Sequence, residues 1–304
     1  MNGILLTDKP KDHTSFDVVA IVRGCVHERR AGHTGTLDPM ATGVLPVLLG
    51  SATKAQALLP DTDKEYEAAF QLGITTDTLD ITGTVLSRQD TDISMQQIED
   101  ILPQFRGDIM QLPPMYSAVS KDGVRLYELA RKGIEAEREA RPVHIGLLEL
   151  TAFDASAQSG RLRISCSKGT YIRSICDEIG KALGCGCVMT ELRRTKACGF
   201  DISEATPLSE IRRLAKEAPD SLAALIRPVE SIFCEYRAVK VSEKQAFRFR
   251  NGGSLMIERL RGINNIRDGE MFRIKDYSGG FIGLACADLS VNELKFKKLF
   301  NGES

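Results

Sequence analysis

The apolar and polar positions change their period several times along the chain, and each change marks an element. Gly3 to Leu6 is a short apolar run ended by Lys9-Pro10, which predicts a strand. Thr14 or Ser15 then stands where a helix N-cap is needed, ahead of Val19, Val22 and Val26 on one helical face. The run Val44 to Leu49 reads as a buried strand, and a short helix after Ser51 ends at Pro60. From Lys64 the period becomes two, with Tyr66, Ala68, Phe70 and Leu72 on one face, so the Tyr66 ring points inward. Ser94 and Gln97 have capping-box spacing, and Ile93 staples to Ile98, ahead of a helix that carries Ile98, Ile101, Leu102 and Phe105.

Residues 119 to 141 are a polar, heavily charged excursion, read as a protrusion with a helix from Val124 to Lys132 stopped by Gly133. Leu162, Ile164 and Cys166 alternate as a strand. After Lys168-Gly169 a helix carries Ile172, Ile175, Cys176, Ile179 and Leu183 and is closed by Gly184, with Tyr171 and Arg173 in its first turn, off the apolar stripe. Cys187 to Leu192 predicts another strand, and Pro207 to Pro228 a Pro-flanked helical segment. Beyond Glu235, short strands (Ala238 to Val241, Met271 to Ile274, Phe281 to Ala285) alternate with glycine pairs, the grammar of a small β-barrel or sandwich. The whole predicts an α+β protein, with a mixed-sheet domain over 1–230 and a small β-rich domain over 231–304.

Composition narrows this picture. At 304 residues and 42% hydrophobic, the chain suits one large core and one small one. The apolar stretch near Met1 is too short for a signal peptide and no run approaches a membrane span, so a soluble cytoplasmic protein is expected. Eight cysteines include no CxxC pair, and Cys185-Gly186-Cys187 lacks the second ligand pair that zinc sites use. The net charge of −1 hides a polarity: −9 over residues 61–160, against +3 over 161–230 and +4 over 231–304. Gripping phosphate needs local basic surface, so the last two segments are the candidates for RNA contact.

The chemistry concentrates in Gly32-His33-Thr34-Gly35-Thr36-Leu37-Asp38-Pro39-Met40-Ala41-Thr42-Gly43. Glycines allow close backbone approach, and Pro39 restricts both its own φ and the residue before it. Such a loop holds one carboxylate still beside an apolar strand; the other reading is an Asp38 that hydrogen-bonds its own turn. The terminal Lys-Ser/Thr of a phosphate loop is missing, and no second acid is placed beside Asp38 as a glycosidase requires.

That loop, continued by Gly50-Ser51-Ala52-Thr53-Lys54, resembles the signature of the TruB family, the tRNA pseudouridine-55 synthases. So, in the same order, do Lys64-Glu65-Tyr66-Glu67, Thr76-Asp77-Thr78-Leu79-Asp80 with Gly83, Gln111 to Ala118, Ser167 to Arg173 and Leu192-Arg193-Arg194-Thr195. The resemblance is strong to about residue 230; the tail more loosely resembles the PUA domain, an RNA-binding pseudo-barrel. It implies a pseudouridine synthase catalytic domain whose Asp38 acts on a flipped uridine, attacking base or sugar or removing a sugar proton. Arg173 would pair with Asp38, and Tyr66 would stack on the uracil and take the C5 proton. His33 would contact the substrate region and hold the nucleotide out of its stack, Tyr171 and Leu192 would line the uracil pocket, and Lys9-Pro10 would brace the catalytic loop.

The resemblance further implies no cofactor and no metal. It implies tRNA, gripped at the T-arm by the protrusion and the tail, as the partner of a monomer that needs no other protein. A non-catalytic RNA-binding or tRNA-folding module and an RNA-guided synthase core of the Cbf5 type are the competing readings.

Overall fold

A computed structural model describes residues 1–117, 119–121 and 123–300, apart from the side chain of Lys121. Ala118, Asp122 and residues 301–304, which fall within the motif, protrusion and tail named above, lie outside the described residues. The larger sheet runs, by neighbouring strands, Thr206–Pro207, Gly3–Lys9, Thr42–Leu49, Cys187–Ala197, Lys64–Leu72, Ser159–Cys166, Arg141–Asp154 and Gly107–Gln111. Ala31–His33 also pairs with Thr42–Leu49, and Phe200–Asp201 with Cys187–Ala197. The sheet is mixed: Cys187–Ala197 lies parallel to Thr42–Leu49 and antiparallel to Lys64–Leu72. That register sets Gly43, Arg194 and Tyr66 side by side across three strands.

One face packs on the helices Met95–Ile101 and Ile172–Ala182 through Ile98, Ile172, Ile175 and Ile179. On the other, Ser15–Cys25 and Leu208–Glu217 bury Val18, Val22 and Ile211 against Leu5, Leu45 and Val47. Thr14, not Ser15, caps the first helix, in a capping box with Asp17. The Ser15 hydroxyl is engaged elsewhere: it accepts from the Leu37 N–H at 2.8 Å and donates to the Leu37 carbonyl at 3.1 Å.

Several predicted boundaries move. The protrusion helix is Leu126–Arg131, because Val124–Arg125 forms a small ladder with Ser120–Lys121. The Pro207 to Pro228 segment is two helices, Leu208–Glu217 and Pro219–Ala224. The break falls at Ala218, which the following proline drives out of the helical region to φ −151 and ψ 67. Tyr171 is the N-cap of its helix, one residue ahead of the first turn.

The tail forms a second sheet ordered Arg237–Lys240, Met271–Lys275, Phe281–Asp288, Glu293–Leu299, Leu255–Met256, with the helix Glu243–Arg250 against it. That helix replaces part of the run of short strands and glycine turns that the sequence predicts beyond Glu235, and Ser242 and Gln245 form its capping box. An apolar seam joins the two sheets: Ile4, Leu6 and Leu48 pack in one cluster with Phe233, Leu284 and Phe300.

Gly43 has φ +112, and a Cβ there would lie 2.2 Å from the Arg194 carbonyl oxygen. Both the strained φ and the backbone overlap penalise any side chain, so Gly43→Ala is expected to cost about 2–5 kcal/mol. At Gly32 the nearest atom to an added Cβ is 4.0 Å away, and Gly32→Ala should change stability by less than about 0.5 kcal/mol. Urea denaturation midpoints of the two variants measure the difference; equal midpoints would refute the close approach.

Candidate active site

Asp38 sits on the loop between Ala31–His33 and Thr42–Leu49, and that loop is pinned from below. Its five consecutive carbonyls, 35 to 39, all accept hydrogen bonds. Arg194 Nη2 donates to Gly35 at 3.1 Å and Nη1 to Thr36 at 3.5 Å, and Ser15 takes Leu37. The Ala41 N–H closes a turn onto the Asp38 carbonyl at 3.0 Å, and Lys9 Nζ and the Asp12 N–H both reach Pro39, at 3.2 and 2.9 Å. Lys9 is wholly buried, and burial lowers its pKa to about 8 while the charge of Asp38 pulls the other way. A loop with its carbonyls so engaged keeps the Asp38 side chain in one place.

The partner of that side chain is Arg173, from the first turn of Ile172–Ala182: its Nε lies 2.9 Å from Asp38 Oδ2. The guanidinium is itself fixed, since Nη1 donates to the Thr78 carbonyl at 3.0 Å and Nη2 to the Tyr116 carbonyl at 2.9 Å. Nε also stands 3.8 Å from Asp80 Oδ2. Asp80 is buried and accepts at Oδ1 from Thr78 Oγ1 and the Thr82 N–H. One arginine thus faces two carboxylates, of which only Asp38 is open, with 34% of its side-chain surface exposed. Crowding by protein pushes the Asp38 carboxyl above its usual pKa and Asp80 adds to this, while Arg173 and Lys9 oppose it.

Tyr66 is buried beside Arg194, and burial pushes its phenol up to about 12, so the ring is neutral at physiological pH. Leu192 packs with Tyr66, Leu37 and Met40 in one apolar cluster. Tyr171 has its backbone clamped at both ends by buried Gln111, whose Oε1 accepts from the Tyr171 N–H at 2.8 Å and whose Nε2 donates to the carbonyl at 3.1 Å. The field of Asp38 reaches both tyrosines. His33 stands apart, edge-on to Phe16 at 5.3 Å between ring centroids, its pKa lowered by burial and by the charge of Arg194.

Asp38, Arg173, Tyr66, Tyr171 and Leu192 are therefore brought together, with His33 at the margin. Reading the sequence gave no part to Asp80, Gln111 or Arg194. All three fall within the motifs of the resemblance, and the signal at Asp80 is an acid with Thr78 and Thr82 two residues to either side, followed by Gly83, where a Cβ would strike Thr78 Oγ1 at 2.2 Å. Among the described residues, no three His, Cys, Asp or Glu side chains gather as metal ligands, and no helix is long and apolar enough to cross a membrane.

Comparison with known proteins identifies the family. Residues 23–172 match the family described as TruB family pseudouridylate synthase (N terminal domain), and residues 173–233 the tRNA pseudouridylate synthase B C-terminal domain. The tRNA pseudouridine synthase B of Stutzerimonas stutzeri (strain A1501) is 45% identical over 93% of this chain and 91% of its own length. That of Ectopseudomonas mendocina (strain ymp) is 44% identical over 93% and 90%. Among solved structures, a chain of a Cbf5–Nop10–Gar1 complex superposes with a TM-score of 0.75 at 26% identity, covering 98% of this chain and 85% of its own. A chain of an H/ACA RNP bound to a substrate RNA containing 2′-deoxyuridine shares the fold with a TM-score of 0.74 at 23% identity, over 99% and 85%. The α+β fold with a mixed catalytic sheet and a small curled C-terminal sheet is that of these synthases, and the chain belongs to the TruB family of pseudouridylate synthases.

Proposed function

We propose that this chain converts uridine 55 in the T-loop of tRNA to pseudouridine, acting alone, with Asp38 as the reacting carboxylate and with no cofactor or metal. The observation that carries this reading is the 2.9 Å Asp38–Arg173 pair on a loop whose carbonyls 35 to 39 are all engaged. Relatives named tRNA pseudouridine synthase B supply the substrate class. In the reaction the C1′–N1 bond breaks, C1′ joins C5, the C5 proton leaves and N1 gains one. Electrons balance within the nucleotide, so the chemistry asks for no redox partner.

The target base is first extruded from its stack, at a cost of about a few kcal/mol. Asp38 must be ionised whether it attacks the base, attacks the sugar or removes a sugar proton. Arg173 keeps it so as the incoming base excludes water. Tyr66 offers a ring for stacking; being a neutral phenol, it takes the C5 proton only by passing its own onward, for which a water is the simplest acceptor. Tyr171 and Leu192 form a polar and an apolar wall, and His33 guards the entrance. The division at 230/231, the protrusion near 119–141 as T-arm grip, the monomeric state and a cytoplasmic site of action belong to the same reading.

Purified protein alone should form pseudouridine in tRNA, and Asp38→Asn should abolish it with the thermal midpoint nearly unchanged. Product from the Asn variant at near wild-type rate removes Asp38 from the chemistry; a wild-type protein that binds tRNA without turnover favours the binding-module reading.

The acid limb of kcat/KM should lie above the ordinary aspartate pKa of about 3.9, because Asp38 is pushed up in the free protein. Arg173→Gln removes the cation that opposes the shift, so the limb moves to higher pH. Arg173→Lys retains the charge but loses the fork, so kcat falls while the limb stays near its place. A limb that moves to lower pH in Arg173→Gln contradicts the assigned role.

Removing the tail would strip Leu284 and Phe300 from a core shared with Ile4, Leu6 and Leu48, so its grip on RNA is better tested at the surface. Lys244 and Arg248 lie exposed one turn apart on Glu243–Arg250. Replacing both with Ala should raise KM with kcat unchanged and flatten the salt dependence by about 0.7–0.9 per lost phosphate contact. An unchanged salt slope would mean that this helix does not touch RNA.

A further inference from the structure

Phe16 is 64% exposed in the first turn of Ser15–Cys25. Its ring is not isolated: it meets His33 edge-on, with centroids 5.3 Å apart and an interplanar angle of 74°. Its position is fixed relative to Asp38 by two short links. Ser15, the preceding residue, is hydrogen-bonded to both backbone groups of Leu37, and Leu37 precedes Asp38. His33 belongs to the strand that leads into the same loop. The pair therefore forms an aromatic lip on two elements tied to the Asp38 loop, with most of the Phe16 surface left to solvent.

We propose that Phe16, braced by His33, is a stacking platform for the nucleobase next to the target uridine in the RNA strand. The inference rests on the reading of Asp38 as the residue that receives a flipped uridine. When a base leaves its stack, each neighbour loses a partner on one side. Neighbours along the strand stay covalently joined to the extruded nucleotide, so they remain near the mouth of the pocket that holds its base. A fixed aromatic surface there replaces one lost stacking contact, and stacking accepts any base because every base has a π-face.

The lip suits a base rather than a phosphate. His33 Nδ1 is buried without a hydrogen-bond partner, and the ring is held toward its neutral form, so neither ring of the pair offers a charge. Asp17, the nearest acid in sequence, is turned back onto Thr14, whose N–H and hydroxyl both donate to its Oδ2 at 2.8 and 2.7 Å. Phe16 is thus a binding and positioning residue, distinct from the groups that touch the reacting atoms.

The test is a double-mutant cycle between protein and RNA, read as the Kd of a T-arm hairpin and as the single-turnover rate at saturating RNA. Phe16→Ala should weaken binding about five- to a hundredfold, with the saturated rate much less affected. Phe16→Tyr should restore it and Phe16→Leu should not, since leucine supplies apolar area without a π-face. An abasic residue at one of the two positions flanking the uridine should reproduce the loss, and Phe16→Ala should then add nothing further. Equal losses on intact and abasic RNAs, full rescue by leucine, or no loss at all would overturn the platform. The binding arm decides the matter even if the wild-type protein forms no pseudouridine, an outcome that sinks the catalytic reading instead.

Discussion

Much of this protein depends on one buried cation. The Arg194 guanidinium is inaccessible to solvent, and its nearest ties are to carbonyl oxygens: Nε to Val44 at 2.8 Å, and the two Nη atoms to Gly35 and Thr36. Each tie crosses from the Cys187–Ala197 strand to the loop of Asp38 or to the strand that follows it. Removing this charge from water is costly, and the cost is recovered only if all of these carbonyls are in place. Loop and sheet are therefore right together or wrong together, and Gly43 is the concession in backbone that lets the chain come close enough.

The same cation sets the electrostatics around the site. It lowers the pKa of His33 and of Lys9, and it opposes the rise that burial imposes on Tyr66. Asp38 sees Arg173 and Lys9 as stabilising charges and Asp80 as a repelling one. The Asp38 carboxylate is thus set between burial and Asp80, which push its pKa up, and Arg173 and Lys9, which oppose them. Asp80 has a specific part in this: sharing Arg173 at 3.8 Å, it weakens that arginine's claim on Asp38 without entering the open part of the site.

Local signals were legible in the chain because their causes are local. The Ser94–Gln97 box, the alternation that turned Tyr66 inward and the glycine-punctuated Asp38 loop each lie within one element or one turn. The bracing was hidden because its partners lie far apart: Arg194 acts on residues about 150 positions earlier, and Gln111 on one 60 positions later. Both lie in motifs of the family resemblance, but neither residue type carries a period or a local pairing that tells which distant carbonyl or amide it will hold. Ser15 shows the same limit at short range. Its hydroxyl suited a helix cap by type, and only the distant Leu37 backbone decided that Thr14 would serve instead. The Glu243–Arg250 helix was a different case, since its capping box was present but its short, basic stretch carried too little apolar periodicity to stand out.

The seam between the two sheets bears on how the chain comes into being. Ile4 and Leu6 share an apolar cluster with Leu284 and Phe300, which are made roughly 280 positions later in the chain. The first strand also pairs with Thr206–Pro207 and, at Ile4, with Arg227. Synthesis proceeds from the N-terminus at about 5–20 residues per second, so this strand waits many seconds for its final neighbours. The larger sheet cannot be fully roofed until Leu284 and Phe300 have been made. Until Phe281–Asp288 arrives, its apolar edge is open to water, the kind of transiently exposed surface that chaperones exist to cover.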